Sequence, residues 1–168
     1  MIEVKLANLS HVLGIIEVCR SGYQDVSNGV LSESLIEERC NKYYNKERVS
    51  NEVGNPTKEW GGYFVALDRG EVVGAGGGGM IAEGETRLYV LYLDPTRRNE
   101  GIGSKILEAI TQQQKNFGAK SQYVTVQKDN MKGIPFYEAR RFMYVEKIVS
   151  NNIKNEPNDI VFEYVRTI

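Results

Sequence analysis

Polar and apolar residues alternate along Ile2–Leu6, the two-residue period of a half-buried strand. Val12, Leu13, Ile16 and Cys19 then recur at helical spacing behind Ser10, which predicts a helix capped by that serine. A second helix is predicted from about Ser32 to Asn51, with Leu35, Ile36, Cys40, Tyr43 and Tyr44 on its apolar side. "GNPTKEWGG" interrupts the pattern. "YFVAL" and "EVVGAGGGG" flank "DRG", the signature of a hairpin turn.

Residues 86–94, "TRLYVLYLD", are β-prone and apolar enough for a central strand. Ile102, Ile106, Leu107, Ile110 and Phe117 form the stripe of a following helix. "QYVTVQ" alternates as a strand. "IPFYEARR" is a short helix with Pro135 at a permitted early position. "FMYVEKIV" and "DIVFEYVRTI" close the chain as two strands joined by a polar loop. The predicted order is β-α-α-β-β-β-α-β-α-β-β, a mixed α/β sheet with helices on its faces and one domain over residues 1–168.

Two glycine-rich stretches compete as phosphate sites. Gly74, Gly76 and Gly79 match G-x-G-x-x-G, but a strand follows them where a dinucleotide fingerprint needs a helix. The expectation is a bulged strand, or one that another backbone approaches closely. The second stretch is "RRNEGIG", between the end of the central strand at Asp94-Pro95 and a helix beginning near Gly101. The first amides of that helix lack intrahelical partners, and its dipole adds positive potential. Gly101 and Gly103 leave room for a ligand against the backbone. A Walker A loop is excluded because "GIGSK" has the wrong order. Taken alone, the loop also fits an ordinary helix start.

Charge and composition narrow the partners. With 21 Lys and Arg against 22 Asp and Glu, no basic excess points to nucleic acid or a membrane surface. No apolar run approaches the roughly 18 residues that span a bilayer. The N-terminus lacks a signal-peptide pattern, so a cytoplasmic location is expected. Cys19 and Cys40 lack metal spacing and are expected as free thiols.

About 25 residues past the loop stands "QKDNMKGIPFYEARRF", a strand end followed by Asn130, a short helix and Tyr137. Together with "LYVLYLDP", "RNEGIG" and the two helices and hairpin ahead, this resembles the GNAT superfamily of acyl-CoA-dependent N-acetyltransferases. The resemblance covers essentially the whole chain. It implies an α+β fold with a mixed sheet of about seven strands, splayed in the middle.

It also implies acetyl-CoA as cosubstrate, no metal, and an amine acceptor, either a small molecule or a peptide. The state would be a monomer or homodimer. The pyrophosphate would lie on the amides of Arg98, Asn99, Glu100, Gly101, Ile102, Gly103 and Ser104. The pantetheine arm would run along Leu91, Tyr92 and Leu93, with a strand bulge there opening the sheet. Asn130 and Phe136 would flank it, and Tyr137 would be the general acid at sulfur. Glu85 is the candidate general base, in place of a family glutamate expected where Arg87 stands. Tyr23–Leu31, Trp60–Tyr63 and the 150–159 loop would border the acceptor, with Asp25 and Glu33 facing a cationic amine.

Two departures stand out: Glu100 is an acid beside an anionic ligand, and Arg141 replaces a family glycine. A GNAT-fold module that binds acyl-CoA without turnover is the alternative reading.

Overall fold

The computed structural model describes residues 1–151 and 154–168. β1 (Ile2–Leu6) leads through a 3-10 turn (Leu9–His11) into α1 (Val12–Ser27). The cap lies earlier than Ser10. Asn8 Oδ1 accepts from Ser10 N at 2.9 Å, and His11 Nδ1 accepts from Asn8 N at 3.1 Å, a reciprocal capping box. The predicted second helix is two helices, α2 (Glu33–Tyr43) and α3 (Lys46–Gly54). Ser32 caps α2 by accepting from Leu35 N. Asn45 caps α3 by accepting from Arg48 N at 2.8 Å. The extended backbone of Asn45 breaks the helical run, because a short polar side chain competes for a free amide.

β2 (Phe64–Asp68) and β3 (Glu71–Ala82) form the expected hairpin. Arg69 and Gly70 both take positive φ, as a two-residue type I′ turn requires. β4 (Glu85–Leu93), α4 (Ile102–Asn116), β5 (Ser121–Gln127), α5 (Gly133–Glu138), β6 (Met143–Val149) and β7 (Ile160–Thr167) follow.

The seven strands of the described residues are ordered β1-β2-β3-β4-β5-β7-β6. All neighbours are antiparallel except β4 and β5, which are parallel. Alternation along β2 sends Ala66 to one face, where Ile106, Ile110 and Tyr137 lie. It sends Val65 and Leu67 to the other, against Ile15, Val18 and Val49. α4 and α5 thus cover one face, and α1 and α3 the other. Each fully buried isoleucine contributes about 1.5–3 kcal/mol relative to exposure.

The glycine run of β3 is explained by what lies on it. A Cβ at Gly74 or Gly76 would meet Ile106 of α4. One at Gly77 would meet the Trp60 ring, and one at Gly79 would stand 2.0 Å from Glu59 O. Helix and loop therefore both seat directly on the strand. Cys19 and Cys40 are buried and free. No helix among the described residues is long and apolar enough to cross a membrane.

Candidate functional site

β4 and β5 pair only over Glu85–Leu88 and Ser121–Val124. β4 continues with β3 to Leu93, and β5 continues with β7 to Gln127. Past Leu88 the parallel pair therefore opens into a cleft, the splay expected of the sheet. The bulge that accompanies it sits earlier than Leu91–Leu93. Gly78 pairs with Leu88 and Gly77 with Val90, so Tyr89 is the extra residue.

The backbone of the open edge has a definite polarity. Asp94 N donates to Val73 O at 2.9 Å. Antiparallel alternation turns Tyr92 the same way and leaves the N–H and C=O of Leu91 and Leu93 facing the cleft. The Tyr92 side chain points to the α1 face, stacking edge-on with Tyr23 and Tyr44 at 6.2 Å. Gly22 of α1 admits it, since a Cβ there would stand 2.7 Å from Tyr92 Cβ.

α4 begins at the mouth of this cleft. Its cap, Gly101, is left-handed at φ 78° and offers no side-chain hydrogen bond. The first amides of α4 are thus not satisfied by a cap. Asn99 is also left-handed at φ 65°, a conformation asparagine tolerates. A Cβ on Gly101 would meet nothing, whereas one on Gly103 would lie 3.3 Å from the Phe136 ring. Gly101 is therefore set by backbone conformation, and Gly103 by the approach of α5. Asn130 Oδ1 accepts from Gly133 N at 2.8 Å and so turns the chain into α5.

Every residue expected at the coenzyme, Glu100 excepted, lines one cleft of about 530 Å³. Glu100 is turned away. Its two oxygens accept from Arg97 Nε at 2.7 Å and Nη2 at 2.8 Å. Those bonds hold its carboxyl below the usual range. Tyr137 is buried between Phe136 and Phe142, with ring centroids 5.1 and 5.3 Å away. Burial pushes its phenol well up, so it is a neutral donor.

Two expectations are not met by the geometry. Glu85 starts β4, where Tyr123 Oη donates to it at 3.4 Å. At roughly 3.3 Å per residue it lies about 20 Å before Leu91, and it does not line the cleft. Asp25 does not face an acceptor region; it pairs with Arg98 at 2.6 Å and stands 4.0 Å from Lys132.

The loop before β7 is tied to α2. Arg39 binds Asp159 bidentately at 3.1 and 2.6 Å, and Glu156 accepts from Ser32 N at 3.2 Å. The expectation for that loop also covers residues 152 and 153, which lie outside the described residues.

The Acetyltransferase (GNAT) family model matches residues 32–142. The chain belongs to the GNAT acetyltransferase family. Spermidine N(1)-acetyltransferase of Thermoplasma acidophilum is 26% identical over 142 residues, spanning 84% of this chain and 88% of the relative. The crystal structure of PaiA N-acetyltransferase from the same organism, in complex with coenzyme A, superposes with TM-score 0.83. It shares 23% identity, and the match covers 97% of this chain and 98% of that one. A GNAT-family acetyltransferase of Staphylococcus aureus gives TM-score 0.74 at 16% identity, covering 99% of each chain.

The β4–β5 cleft adjoins a second pocket, which includes Tyr23, Trp60 and Tyr63 of the expected acceptor border. This cavity, also about 530 Å³, lies over α3 and is walled by tyrosines, Trp60, Arg48 and Glu52. Tyr23, Arg39, Tyr89 and Val90 border both this pocket and the gap between β4 and β5. Trp60, expected near the acceptor, is there. Tyr43, Tyr44, Arg48, Glu52 and Tyr89 were not expected. The i,i+4 pair Arg48–Glu52 was a usable signal, but in one long helix it reads as surface charge.

Proposed function

We propose that the protein transfers the acetyl group of acetyl-CoA to a primary amine by direct attack, and that the β4–β5 cleft is where the coenzyme binds. The observation that carries this reading is the convergence of three features on one cleft. These are the outward backbone of Leu91 and Leu93, the uncapped start of α4, and the neutral phenol of Tyr137. When bound, acetyl-CoA supplies an acetyl thioester.

The amides from Arg98 through Ser104 take the pyrophosphate, with Arg98 and Lys132, which share the one counter-charge of Asp25, adding net positive charge at the rim. The freed edge of β4 holds the pantetheine arm, and a Leu91 or Leu93 N–H donates to the carbonyl oxygen as negative charge grows there. The amine nitrogen forms its bond to the acetyl carbon as the carbon–sulfur bond breaks. Tyr137 Oη gives its proton to the departing sulfur and regains one from solvent. Among the described residues no carboxylate lines the gap between β4 and β5. The proton lost by the amine therefore passes to water, and Glu85 has no direct part.

The similarity to spermidine N(1)-acetyltransferase supports a polyamine acceptor. The test is to mix purified protein, acetyl-CoA and spermidine and to follow free thiol and acetylated amine. Stoichiometric appearance of both is expected; neither appearing with spermidine or a panel of other primary amines would sink the reading.

A further inference from the structure

The pocket over α3 has a composition that the acyl transfer step does not require. Trp60 and Tyr63 meet edge-on at 5.0 Å, and Tyr89 stands 6.4 Å from Trp60. The Trp60 ring is fixed, because its Nε1 donates to Glu52 O at 2.9 Å. Such ring faces attract cations.

Charge points the same way. Arg39 is neutralised by its bidentate bond to Asp159. The remaining charged lining residues are Arg48, Glu52 and Glu59, which leaves one negative charge in excess. Arg48 also lies over the Tyr43 ring, at 4.8 Å. Its Nε forms an ion pair with Glu52 Oε1 at 3.4 Å without hydrogen-bond geometry, so that buried oxygen has a charge beside it but no hydrogen-bond donor. Buried carboxylate oxygens in folded proteins have donors. Burial lifts the Glu52 carboxyl by more than Arg48 lowers it, a penalty that a second bound cation would offset.

We propose that Glu52 and the Trp60–Tyr63–Tyr89 rings hold the distal, non-reacting ammonium of the acceptor, so that the enzyme selects amines bearing a second positive charge. This rests on the acyl-transfer reading above. The pocket reaches the β4–β5 gap through Tyr89 and Val90, which border both. One end of a flexible diamine or polyamine would lie on Glu52 while the other presents its nitrogen at the cleft. Glu52 is then a specificity residue that touches the acceptor away from the reacting atoms.

The test compares spermidine with n-butylamine in wild type and Glu52→Gln, an isosteric change that keeps the backbone bond to Trp60. A rise in KM for spermidine of about tenfold or more is expected, with kcat within about threefold and butylamine kinetics unchanged. An unchanged spermidine KM overturns the proposal. So does an equal rise for both amines, or a loss of kcat with both.

If Glu52→Gln does not fold, Trp60→Leu is measured in its place, with the same selective loss expected. If wild type turns over neither these two nor a panel of other primary amines, the acyl-transfer reading fails by itself. Calorimetric titration of spermidine into both proteins then decides this one: weaker binding to Glu52→Gln upholds it, and equal binding overturns it.

Discussion

Arg97 stands between two carboxylates, with its Nη2 2.9 Å from Asp68 Oδ2 and its Nε 2.7 Å from Glu100 Oε2. Glu100 is therefore tethered away from the start of α4, where an anion is expected to bind. Removing the tether frees a negative charge to swing toward the coenzyme phosphates. Arg97→Ala should weaken coenzyme A binding about five- to twentyfold by calorimetry. The double variant Arg97→Ala/Glu100→Gln should recover most of the loss. If the double variant binds as weakly as the single one, Arg97 acts directly on the ligand instead.

Tyr137 is the proton donor in the proposed mechanism, and its hydroxyl is the part of the ring that packing does not need. Tyr137→Phe keeps the edge-on contacts with Phe136 and Phe142. It should lower kcat about 10²-fold, within the usual range for general acid catalysis. Coenzyme A affinity should stay within about twofold. Unchanged turnover would assign the proton to another source.

Much of this was legible in the chain. The order of strands, the hairpin at Arg69-Gly70 and the helix start at Gly101 follow from local periodicity and turn chemistry, whereas the convergence of Asn130 and Tyr137 is implied only by the family resemblance. The missed features depend on tertiary geometry. The break at Asn45 is one polar residue in an otherwise helical run, and periodicity alone does not see it. The bulge at Tyr89 is a shift of register between β3 and β4, which a strand-like pattern in β4 alone does not show. Glu85 lay at a plausible place in sequence, but only the register with Ser121 shows that it sits before the splay. Glu52 joins the site only because the Trp60 loop lies on Gly77 and Gly79.

Arg141 ends α5 in the left-handed conformation, at φ 69°. Phe142 N donates to Tyr137 O at 3.1 Å, the closing bond of such a cap. A side chain is strained there, and glycine is not. Arg141→Gly should raise stability by about 1 kcal/mol in urea unfolding, with catalysis unaffected. A destabilised variant would mean that the arginine side chain contributes more than its strain costs.

The bond between Arg39 and Asp159 fastens the start of β7 to α2, and it makes stability depend on pH in a definite direction. Burial alone would raise the Asp159 carboxyl. Hydrogen bonds from Arg39 and Ser150, together with the Arg39 charge, outweigh it and hold the carboxyl below its ordinary value. A folded-state value below the unfolded one stabilises the fold above the unfolded pKa, and the gain is lost as pH falls through the folded value. Asp159→Asn should therefore cost about 1–2 kcal/mol at pH 7. That is less than a fully buried pair, because the Arg39 side chain is 30% exposed. Thermal melts of wild type and Asp159→Asn should keep a steady gap from pH 7 to about 5 and converge as pH is lowered from about 5 toward about 2. A gap that stays constant over that range would show that the aspartate acts through packing or neutral hydrogen bonds rather than through its charge.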